Sequence, residues 1–557
     1  MSSNMDSLKK KGPKLLVLCF DGATFNLIRP WAREGKLPTF KQIMEKGVTR
    51  VLESTVPPIS ATAWVTFLTG NNPGNHGIFE FRVMDSNTYM GLTEDIVTSN
   101  SIRGNTFLDY VSAHGLKICS VSIPITYPPW EINGMMVSGT PTPDNSKAFT
   151  YPGHLDFGVM TPYSHQKMRL TVEQKRRHAE YEARKRTQIL CDALESDAYD
   201  LYLLHLHTAD AAHHNYWRFF DPECPAYSPR EDYGMYMLES YQVLDSNLKK
   251  VLALVDDETP VLVLSDHGGR RRPRRQLNLD KWLKEKGFIV FKKSAAKASM
   301  NSAVVHLYEK LKKHLPTEKL KRHLKKNPSI RKKYFSIKKN IAGIDWHRTR
   351  AYRIELHHPF VGIEINLKGR QPEGCVEGPD EYENTIEELI GGLPGIRDPE
   401  NGERIVEKVF RKEDLYRGRN LGKAPDLIVQ LSPGFDVSGD DNRLLVSSTP
   451  VEKFVEKSGY HDMDGIFIAR GPQFKKGKSL ERGSLIDITA TIIHLLGLPV
   501  PEDMDSRVML DVFEDDYIES SKIAFGERLQ AHVKTEEVST DDEESMKNQL
   551  RSLGYLE

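Results

Sequence analysis

Short apolar runs separated by helical stretches recur along the whole chain. The apolar runs are KLLVLCF (14–20), LKICSVSIP (116–124), DLYLLHLH (200–207), PVLVLSDHG (260–268), DLIVQL (426–431) and DGIFIARGP (464–472). Unbroken apolar runs of this length are typical of strands in a sheet that is buried on both faces. Helical spacing of apolar residues marks the stretches 37–47, 171–197 and 232–255. The alternation predicts an α/β fold with a mostly parallel central sheet and helices on both faces.

Two segments interrupt this alternation. Residues 292–339 contain sixteen Lys or Arg residues and two acidic ones, which predicts an inserted basic helical cap rather than part of the sheet. Residues 350–370 have the pattern of β-structure in a smaller subdomain. The predicted organisation is a core at 14–290, a basic helical cap at 291–345, a small α+β subdomain at 346–420, the second part of the core at 421–515 and an acidic, polar tail at 530–557. The tail ends in LRSLGYL, which has the composition of a docking segment.

Composition narrows the class of protein. The 557 residues carry no net formal charge and are 39% hydrophobic, so the chain can build a large core and has no overall field that attracts polyanions. The basic cap has few aromatic residues for base stacking, which argues against a nucleic-acid partner. Five scattered cysteines without a CxxC motif favour reduced thiols.

The N-terminal sequence bears on localisation. Its apolar run, residues 15–20, is too short for the core of a signal peptide. No stretch approaches the roughly 18 apolar residues of a membrane span. We therefore expect a soluble, cytoplasmic protein without a transmembrane segment, and the oligomeric state stays open.

Acidic and imidazole side chains follow several of the predicted strands. Ligands of open parallel sheets bind beyond the carboxyl ends of the strands, so these side chains are expected to meet there. Three carboxylates and three imidazoles suit two divalent ions, with Zn²⁺ favoured and Mn²⁺ as the alternative. The candidate ligands are Asp21, Asp210, His214, Asp266, His267 and His461.

A hydroxyl-bearing loop completes a pattern that resembles a known family. The loop TVPPISATAWVTFLTGNNPGNHGIFEF (55–81), together with the acidic and imidazole motifs and their order, resembles the alkaline phosphatase superfamily. The similarity is greatest to its type I phosphodiesterase/nucleotide pyrophosphatase branch and to related predicted phosphohydrolases and phosphomutases. In that branch a Thr or Ser nucleophile lies 16 residues before the His of a PxxHGI motif, as Ser60 lies before His76. The stretch 484–507 resembles the closing helix of the superfamily.

The resemblance implies a role for each residue of the pattern. Metal coordination would make the Ser60 hydroxyl an alkoxide, which attacks phosphorus to give a phosphoseryl intermediate that water then hydrolyses. One metal ion would be bound by Asp210, His214 and His461, and the other by Asp21, Asp266, His267 and the Ser60 oxygen.

The chain departs from the family pattern next to Ser60. Nucleotide pyrophosphatases have an Asn three residues after the nucleophile that holds a phosphoryl oxygen, and Ala63 stands here. The backbone N–H after Ser60 is then the expected oxyanion contact, and a nucleotide is less strongly indicated as the substrate. The sulfatase signature x-Pro-x-Arg does not follow Ser60, which argues against sulfate-ester hydrolysis.

Other polar residues of these motifs have structural interpretations. Thr62 is the rival nucleophile, whereas His76 is expected to close a turn. His213 is expected to lie behind the ligands or on the surface. The remaining groups are expected to cap turns or to sit satisfied in the core; they are His205, His207, Asp462 and Asp464.

Three arginines directly follow the DHG motif. Arg270, Arg271 and Arg272 either form a solvated loop or line the mouth of the site, where guanidinium groups would receive phosphate oxygens. We carry them as candidate substrate contacts.

Together these features predict a two-metal phosphoesterase that acts on phosphodiester or pyrophosphate bonds. The expected substrate is a small phosphate ester or one linked to a lipid or sugar. A phosphomonoesterase or phosphomutase on the same core is the alternative, and a non-catalytic anion-binding scaffold is the third hypothesis.

Overall fold

The computed structural model describes most of the chain between Lys14 and Leu556. The ranges outside the description within these limits are 87–88, 90, 144–147, 159, 161–169, 197, 230, 293–342, 439–443 and 529–535. Most of the predicted basic cap, 291–345, therefore lies outside the described residues.

A ten-stranded sheet forms the centre of the fold. Nine strands follow one another in the order Lys478–Ser479, Val48–Glu53, Asp464–Arg470, Val261–Leu264, Leu15–Phe20, Leu201–Leu206, Ile118–Val121, Gly134–Val137 and Thr150–Tyr151, and Gly483–Ser484 pairs with Val48–Glu53. Most pairs are parallel; the strands Asp464–Arg470 and Thr150–Tyr151 run antiparallel to their neighbours. The predicted mostly parallel sheet is confirmed.

The strand Leu15–Phe20 shows why the sheet forms from unbroken apolar runs. Successive side chains of a strand point to opposite faces. Leu15, Val17 and Cys19 belong to one hydrophobic core, and the residues between them belong to a second core on the other face. A sheet with a core on each side requires apolar residues at every position, which is the pattern of this strand.

Helices cover both faces of the central sheet. One core includes side chains of the helices Ser60–Thr69, Phe107–Ala113, Ile488–Leu495 and Thr540–Leu553. The other core includes side chains of Phe25–Arg33, Pro38–Lys46, Val172–Ser196, Thr208–Phe220 and Tyr236–Leu252. The further α-helices among the described residues are Pro73–His76, Glu231–Gly234, Leu279–Glu285, Gly378–Gly392, Lys412–Leu415, Val451–Glu456 and Asp515–Ser520.

A four-stranded antiparallel sheet forms a separate core. Its strands are, in spatial order, Ala351–Ile354, Phe360–Ile365, Leu427–Leu431 and Val406–Arg411. The strand Leu427–Leu431 belongs to this sheet. The sequence-based prediction differs, because it placed DLIVQL in the main sheet and ended the small subdomain at residue 420. An apolar run is equally compatible with either sheet, so its composition does not reveal its partners.

Four short sheets complete the strand structure of the described residues. Two of them border the site: Gly268–Arg271 pairs with Gly459–Asp462, and Arg275–Leu277 pairs with Phe435–Val437 and Val446–Ser448. The others pair Arg82–Met84 with Leu92–Ile96, and Val500–Pro501 with Phe525–Gly526.

The helix Thr540–Leu553 lies within the segment predicted as a polar tail. Its Met546 and Leu550 side chains are fully buried in the core that also contains the helix Ser60–Thr69. This segment is therefore part of the fold and not a solvated extension. In the described part of the chain, no helix has both the length and the apolar character needed to cross a bilayer.

Candidate active site

The carboxyl ends of three adjacent central strands bring the predicted ligands together. The strand Leu15–Phe20 pairs in parallel with Leu201–Leu206 and Val261–Leu264, and Cys19 lies opposite both His205 and Leu264. Side chains that follow these strands therefore share one edge of the sheet. Asp21, Asp210 and Asp266 all lie there, and each is at most 1% exposed.

The first cluster consists of Asp21, Asp266 and His267. The Nε2 atom of His267 lies 3.5 Å from Asp21 Oδ1 and 3.4 Å from Asp266 Oδ2. Asp21 is held from behind through its other oxygen, to which Trp64 Nε1 donates over 3.1 Å and His205 Nε2 lies 2.9 Å away. Asp21 Oδ1 and Asp266 Oδ2 have no hydrogen-bond partner among the described residues. Both free oxygens are available to a ligand.

The second cluster consists of Asp210, His214 and His461. The Nε2 atoms of the two histidines lie 3.2 and 3.3 Å from the two oxygens of Asp210, and 3.2 Å from each other. Asp210 and His214 share one face of the helix Thr208–Phe220, as the spacing of four residues predicts. His461 comes from the short strand Gly459–Asp462, which pairs with Gly268–Arg271 directly after the DHG motif.

Each of the three histidines is oriented by a backbone carbonyl group. The Nδ1 atoms of His214, His267 and His461 lie 2.9, 2.8 and 2.7 Å from the carbonyl oxygens of Gly459, Gly268 and Pro58. A carbonyl oxygen only accepts, so Nδ1 carries the hydrogen and, in the neutral ring, Nε2 keeps its lone pair. This is the arrangement that metal-binding histidines adopt in proteins.

Ser60 begins a helix directly beside these clusters. It is the first residue of the helix Ser60–Thr69, and its side chain is 2% exposed. Its Oγ atom lies 3.3 Å from His267 Nε2. No side chain caps the N-terminus of this helix, and the N–H groups of a helix's first turn lack intrahelical partners. The hydroxyl and the positive end of the helix therefore lie together at the metal-ligand cluster.

Gly22 permits the close approach of the two clusters. Its backbone has a φ of 70°, and a Cβ atom at this position would lie 2.9 Å from Asp210 Cβ. Its N–H donates to Asp266 Oδ1 over 3.2 Å. A larger residue after Asp21 would push Asp210 away from the site.

The protonation states of Asp21 and of the Asp210 cluster suit cations. Burial raises the pKa of Asp21, but hydrogen bonds from His205 and His207 outweigh burial and lower this pKa. Burial also raises the pKa of Asp210, but the neighbouring His214 and His461 outweigh burial and lower it. Burial lowers the pKa of both His214 and His461. Ionised carboxylates and neutral imidazoles are the forms that bind metals. Burial and the charge of Asp21, by contrast, raise the pKa of Asp266 to about 8, and the charges of Asp266 and Asp21 outweigh burial and raise the pKa of His267.

The donor set therefore fits divalent metal ions. Three groups of ligand atoms have all members within 4.8 Å of one another: Asp21 with Asp266 and His267, Asp210 with His267 and His461, and Asp21 with His207 and Asp210. Each of the three aspartates has a buried oxygen without a hydrogen-bond partner among the described residues. Without a bound ion, nothing compensates the cost of removing these oxygens from water. Nitrogen and carboxylate donors are those that Zn²⁺ and related ions accept.

Three residues of the site were not predicted from the sequence. His207 lies between the clusters, 3.5 Å from Asp21 Oδ2 and 3.4 Å from Asp210 Oδ2, and its interpretation as a satisfied core group was wrong. Its place directly after a strand was the available signal. Tyr555 places its hydroxyl 3.1 Å from Ser60 Oγ, and Lys457 lies beside the Tyr555 ring. Nothing in the local sequence of Tyr555 or Lys457 indicated the site.

The other polar residues of the motifs lie outside the ligand clusters. Thr62 is fully buried and its Oγ1 atom has no hydrogen-bond partner. His76 lies 3.0 Å from Thr66 Oγ1 and accepts from Ile78 N–H in the turn that it closes. His213 is buried against Tyr241, not on the surface, with 2.9 Å between its Nε2 and the tyrosine hydroxyl. Asp462 ends the strand Gly459–Asp462 and Asp464 begins the strand Asp464–Arg470, so neither was placed correctly as a turn cap; Asp464 pairs with Arg482.

The three arginines after the DHG motif contact protein groups. Arg271 forms ion pairs with Asp221 and Glu223. Arg272 is 8% exposed and donates to the carbonyl oxygens of Lys453 and Lys457. Arg270 donates to the carbonyl oxygen of Pro433, and its nearest carboxylate oxygen, on Asp462, is 4.0 Å away. Arg270 is the least constrained of the three.

The α/β fold brings together His and Asp side chains that could hold metal ions. The model of the type I phosphodiesterase/nucleotide pyrophosphatase family matches residues 15–464. The chain belongs to this family, and it is a metal-dependent phosphoric ester hydrolase, as the sequence predicted. No curated protein matches the chain.

Two solved structures of hydrolases are similar to this chain. Phosphonoacetate hydrolase from Sinorhizobium meliloti 1021 in complex with phosphonoformate has a TM-score of 0.52 at 14% identity, over 87% of this chain and 96% of that chain. An inactive variant of murine ectonucleotide pyrophosphatase/phosphodiesterase 5 in complex with AMP has a TM-score of 0.47 at 16% identity, over 90% of this chain and 100% of that chain. The first similarity confirms the predicted fold.

Proposed function

We propose that the chain hydrolyses phosphodiester or pyrophosphate bonds through a phosphoseryl intermediate on Ser60, assisted by two divalent metal ions. One observation carries the proposal. Ser60 Oγ lies 3.3 Å from His267 Nε2, next to buried carboxylates and imidazoles, and ligand atoms of Asp210, His267 and His461 lie within 4.8 Å of one another. One ion would be held by Asp21, Asp266, His267 and Ser60, and the other by Asp210, His214 and His461.

The reaction proceeds in two displacements. Ser60 Oγ forms a bond to phosphorus, and the bond from phosphorus to the leaving oxygen breaks. Water then attacks the phosphoseryl group, and Ser60 Oγ leaves with a proton. When bound, the metal ions would lower the pKa of the Ser60 hydroxyl and offset the charge of the phosphoryl group.

The N-terminus of the helix Ser60–Thr69 supports the phosphoryl group in this mechanism. First-turn N–H groups and the helix dipole attract anions. The Ala61 N–H, next to Ser60, is well placed to donate to a phosphoryl oxygen in place of the amide that Ala63 lacks. The ligand set of three imidazoles and three carboxylates favours Zn²⁺, with Mn²⁺ as the alternative.

The substrate follows from the family and from the site. A phosphate ester of a small molecule, or of a lipid or sugar, fits a family of phosphodiesterases and nucleotide pyrophosphatases. Arg270 is the arginine that we retain as a substrate contact, because Arg271 and Arg272 are held by protein partners. Reduced thiols support a cytoplasmic location: all five cysteines are free, and four of them are buried.

The choice between diester and monoester chemistry is tested with chromogenic substrates. With Zn²⁺ or Mn²⁺ added, we expect bis-p-nitrophenyl phosphate to be hydrolysed with a higher kcat/KM than p-nitrophenyl phosphate. A strong preference for the monoester would instead support the phosphomonoesterase or phosphomutase alternative. Absence of activity across diverse esters and metals would support the anion-binding scaffold.

The nucleophile is tested by substitution and trapping. Ser60→Ala is expected to lower kcat by at least about 10³-fold. Acid quenching of the wild type with labelled diester should leave Ser60 bonded to the phosphoryl group, which still carries the ester substituent that was not expelled, as detected by peptide mass spectrometry. Thr62→Ala is the matched control, and it should retain both the activity and the label. A label on Thr62 would reassign the nucleophile.

A further inference from the structure

The segment after Leu553 reaches the site from a helix that is anchored in the core. Met546 and Leu550 are fully buried, and Gln549 accepts a hydrogen bond from the Thr142 N–H over 2.8 Å. Gly554 ends the helix in a left-handed conformation with a φ of 83°. The backbone N–H of Tyr555 donates to the Leu550 carbonyl oxygen over 2.9 Å. This turn directs Tyr555 toward Ser60.

The Tyr555 ring contacts two side chains. Its centroid lies 4.6 Å from that of the Phe81 ring, and Lys457 Nζ lies 5.6 Å from the Tyr555 centroid. Lys457 Nζ also donates to the Gly554 carbonyl oxygen over 3.1 Å. The phenol hydroxyl donates to Asp210 Oδ2 over 2.9 Å and lies 3.1 Å from Ser60 Oγ. The hydroxyl therefore joins the nucleophile to the second ligand cluster.

Two side chains of the described residues lie within hydrogen-bond distance of Ser60 Oγ, and they are His267 and Tyr555. His267 is assigned to a metal ion under the proposed function. Its Nδ1 atom is already committed to the Gly268 carbonyl oxygen. Tyr555 thus remains as the side chain beside Ser60 that has a hydrogen to give. A phenol stays protonated at neutral pH because its ordinary pKa is about 10.

We propose that Tyr555 is a catalytic residue whose hydroxyl donates a hydrogen bond to a non-bridging phosphoryl oxygen as Ser60 attacks. The inference rests on the proposed role of Ser60. The non-bridging oxygens are bonded to the phosphorus that Ser60 Oγ attacks, so they lie close to Oγ. The Tyr555 hydroxyl lies beside Oγ and reaches these oxygens when its O–H bond rotates away from Asp210. Donors that act on charge developing in the transition state raise kcat more than they tighten substrate binding.

The anchored helix favours this role over displacement of the segment by substrate. Met546 and Leu550 share their core with Ala61 and Trp64 of the helix that begins at Ser60. Removing the segment alone would break the hydrogen bonds of Tyr555 N–H to Leu550 and of Lys457 to Gly554, and moving the helix with it would also expose these apolar side chains to water. The hydroxyl is therefore expected to stay in the site during turnover.

The test removes the hydroxyl and keeps the ring. Tyr555→Phe is expected to lower kcat for bis-p-nitrophenyl phosphate about 10²-fold with little change in KM. It should weaken the binding of orthovanadate, a mimic of the five-coordinate phosphoryl group, more than that of inorganic phosphate. Metal content and the thermal midpoint should not change. Tyr517→Phe, in a tyrosine that packs against Phe513 away from the site, is the matched control.

Several results would overturn the proposal. A rise in kcat/KM for Tyr555→Phe would mean that the tyrosine obstructs the site, and unchanged kcat and vanadate binding would mean that it only packs there. If Ser60→Ala loses activity while Tyr555→Phe retains it, this inference fails and the proposed function stands. If Ser60→Ala matches the wild type, the proposed function fails and the role of Tyr555 fails with it.

Discussion

The Nε2 atoms of His214 and His461 lie 3.2 Å apart, although each ring already donates its Nδ1 hydrogen to a backbone carbonyl group. In the neutral rings both Nε2 atoms then present lone pairs to each other and cannot form a hydrogen bond. Asp210 adds a carboxylate to the same point, 3.2 and 3.3 Å from the two nitrogens. The Tyr555 hydroxyl donates to Asp210 Oδ2, but it does not offset the two facing lone pairs, which a cation would stabilise together with the carboxylate.

This relationship predicts the metal content of the chain. The wild type is expected to bind two divalent ions, and His461→Ala should bind one, because the Asp21 cluster keeps its ligands. The measurement is metal analysis by mass spectrometry after purification without chelator. Zn²⁺ should also raise the thermal midpoint of the wild type, since an ion that binds the folded state stabilises it.

The control for this prediction is another buried histidine. His494→Gln changes a buried ring in the helix Ile488–Leu495, away from the ligand clusters, and should keep both ions. A wild type that carries no metal and gains no thermal stability with Zn²⁺ or Mn²⁺ would contradict the assignment.

Trp64 is predicted to act on the metal site through Asp21. Its indole N–H donates to Asp21 Oδ2, which leaves Oδ1 free to bind. Trp64→Phe keeps most of the ring and removes the donor, so the carboxylate is less firmly oriented. We expect metal affinity to fall about 10-fold or more, as measured by competition with a chromogenic chelator.

A second tryptophan provides a matched control for Trp64. Trp130 is equally buried and donates to Asp109, a carboxylate outside the ligand clusters, over 2.7 Å. Trp130→Phe should lower stability without a change in metal affinity. Equal affinities in the two variants and the wild type would refute the positioning role of Trp64.

The sequence predicted the fold where burial follows from composition. The runs at 14–20, 200–207 and 260–268 contain strands that are almost wholly apolar because both of their faces are covered, and all three are central strands. The same logic failed for DLIVQL, whose strand Leu427–Leu431 is also buried but pairs in the smaller sheet. Apolar character reports burial, whereas the choice of partner depends on contacts distant in sequence.

The site was predictable where a side chain follows a strand. Asp21 and Asp266 follow central strands directly, so their convergence was a consequence of the parallel sheet. His207 has the same relation to the strand Leu201–Leu206, but alternation with His205 made it resemble a core residue. Tyr555 reaches Ser60 across 495 positions through the docking of a helix, and no local pattern encodes such a contact.

Arg272 and Arg270 are predicted to differ in what they contribute. Arg272 is buried, and its loss would leave the Lys453 and Lys457 carbonyl oxygens without this donor. Arg272→Met is expected to lower the free energy of unfolding by about 2 kcal/mol with little effect on KM. Arg270→Ala should leave stability within about 0.5 kcal/mol of the wild type and raise KM for the diester several-fold. Urea denaturation and steady-state kinetics on both variants separate the two effects, and an unchanged KM for Arg270→Ala would remove it from the substrate site.

Asp426 is predicted to be the main electrostatic anchor of the smaller sheet. Its carboxylate is buried and accepts hydrogen bonds from Arg370, Lys412, Tyr382 and the Ile365 N–H. Asp426→Asn removes the negative charge beside Lys412 and Arg370, of which Arg370 keeps Glu364 as a second carboxylate, so we expect a loss of about 3 kcal/mol in the free energy of unfolding at pH 7. Diester kinetics under folding conditions should be retained, because the residue lies outside the ligand clusters.

The same carboxylate makes a pH-dependent contribution to stability. Burial raises the pKa of Asp426, but Arg370 and Lys412 outweigh burial and hold the pKa below its usual value. Its stabilising contribution is therefore complete above the unfolded-state pKa of about 4 and declines as the pH falls through the lower folded-state pKa. The part of the gap in unfolding free energy between wild type and Asp426→Asn that comes from this carboxylate should accordingly narrow at acidic pH. Glu388→Gln, which removes a half-exposed partner of Arg350, is the matched control and should cost less than about 1 kcal/mol at every pH. If Asp426→Asn lowers the free energy of unfolding as little as this control, the charged partners of Asp426 are solvated and the prediction is wrong.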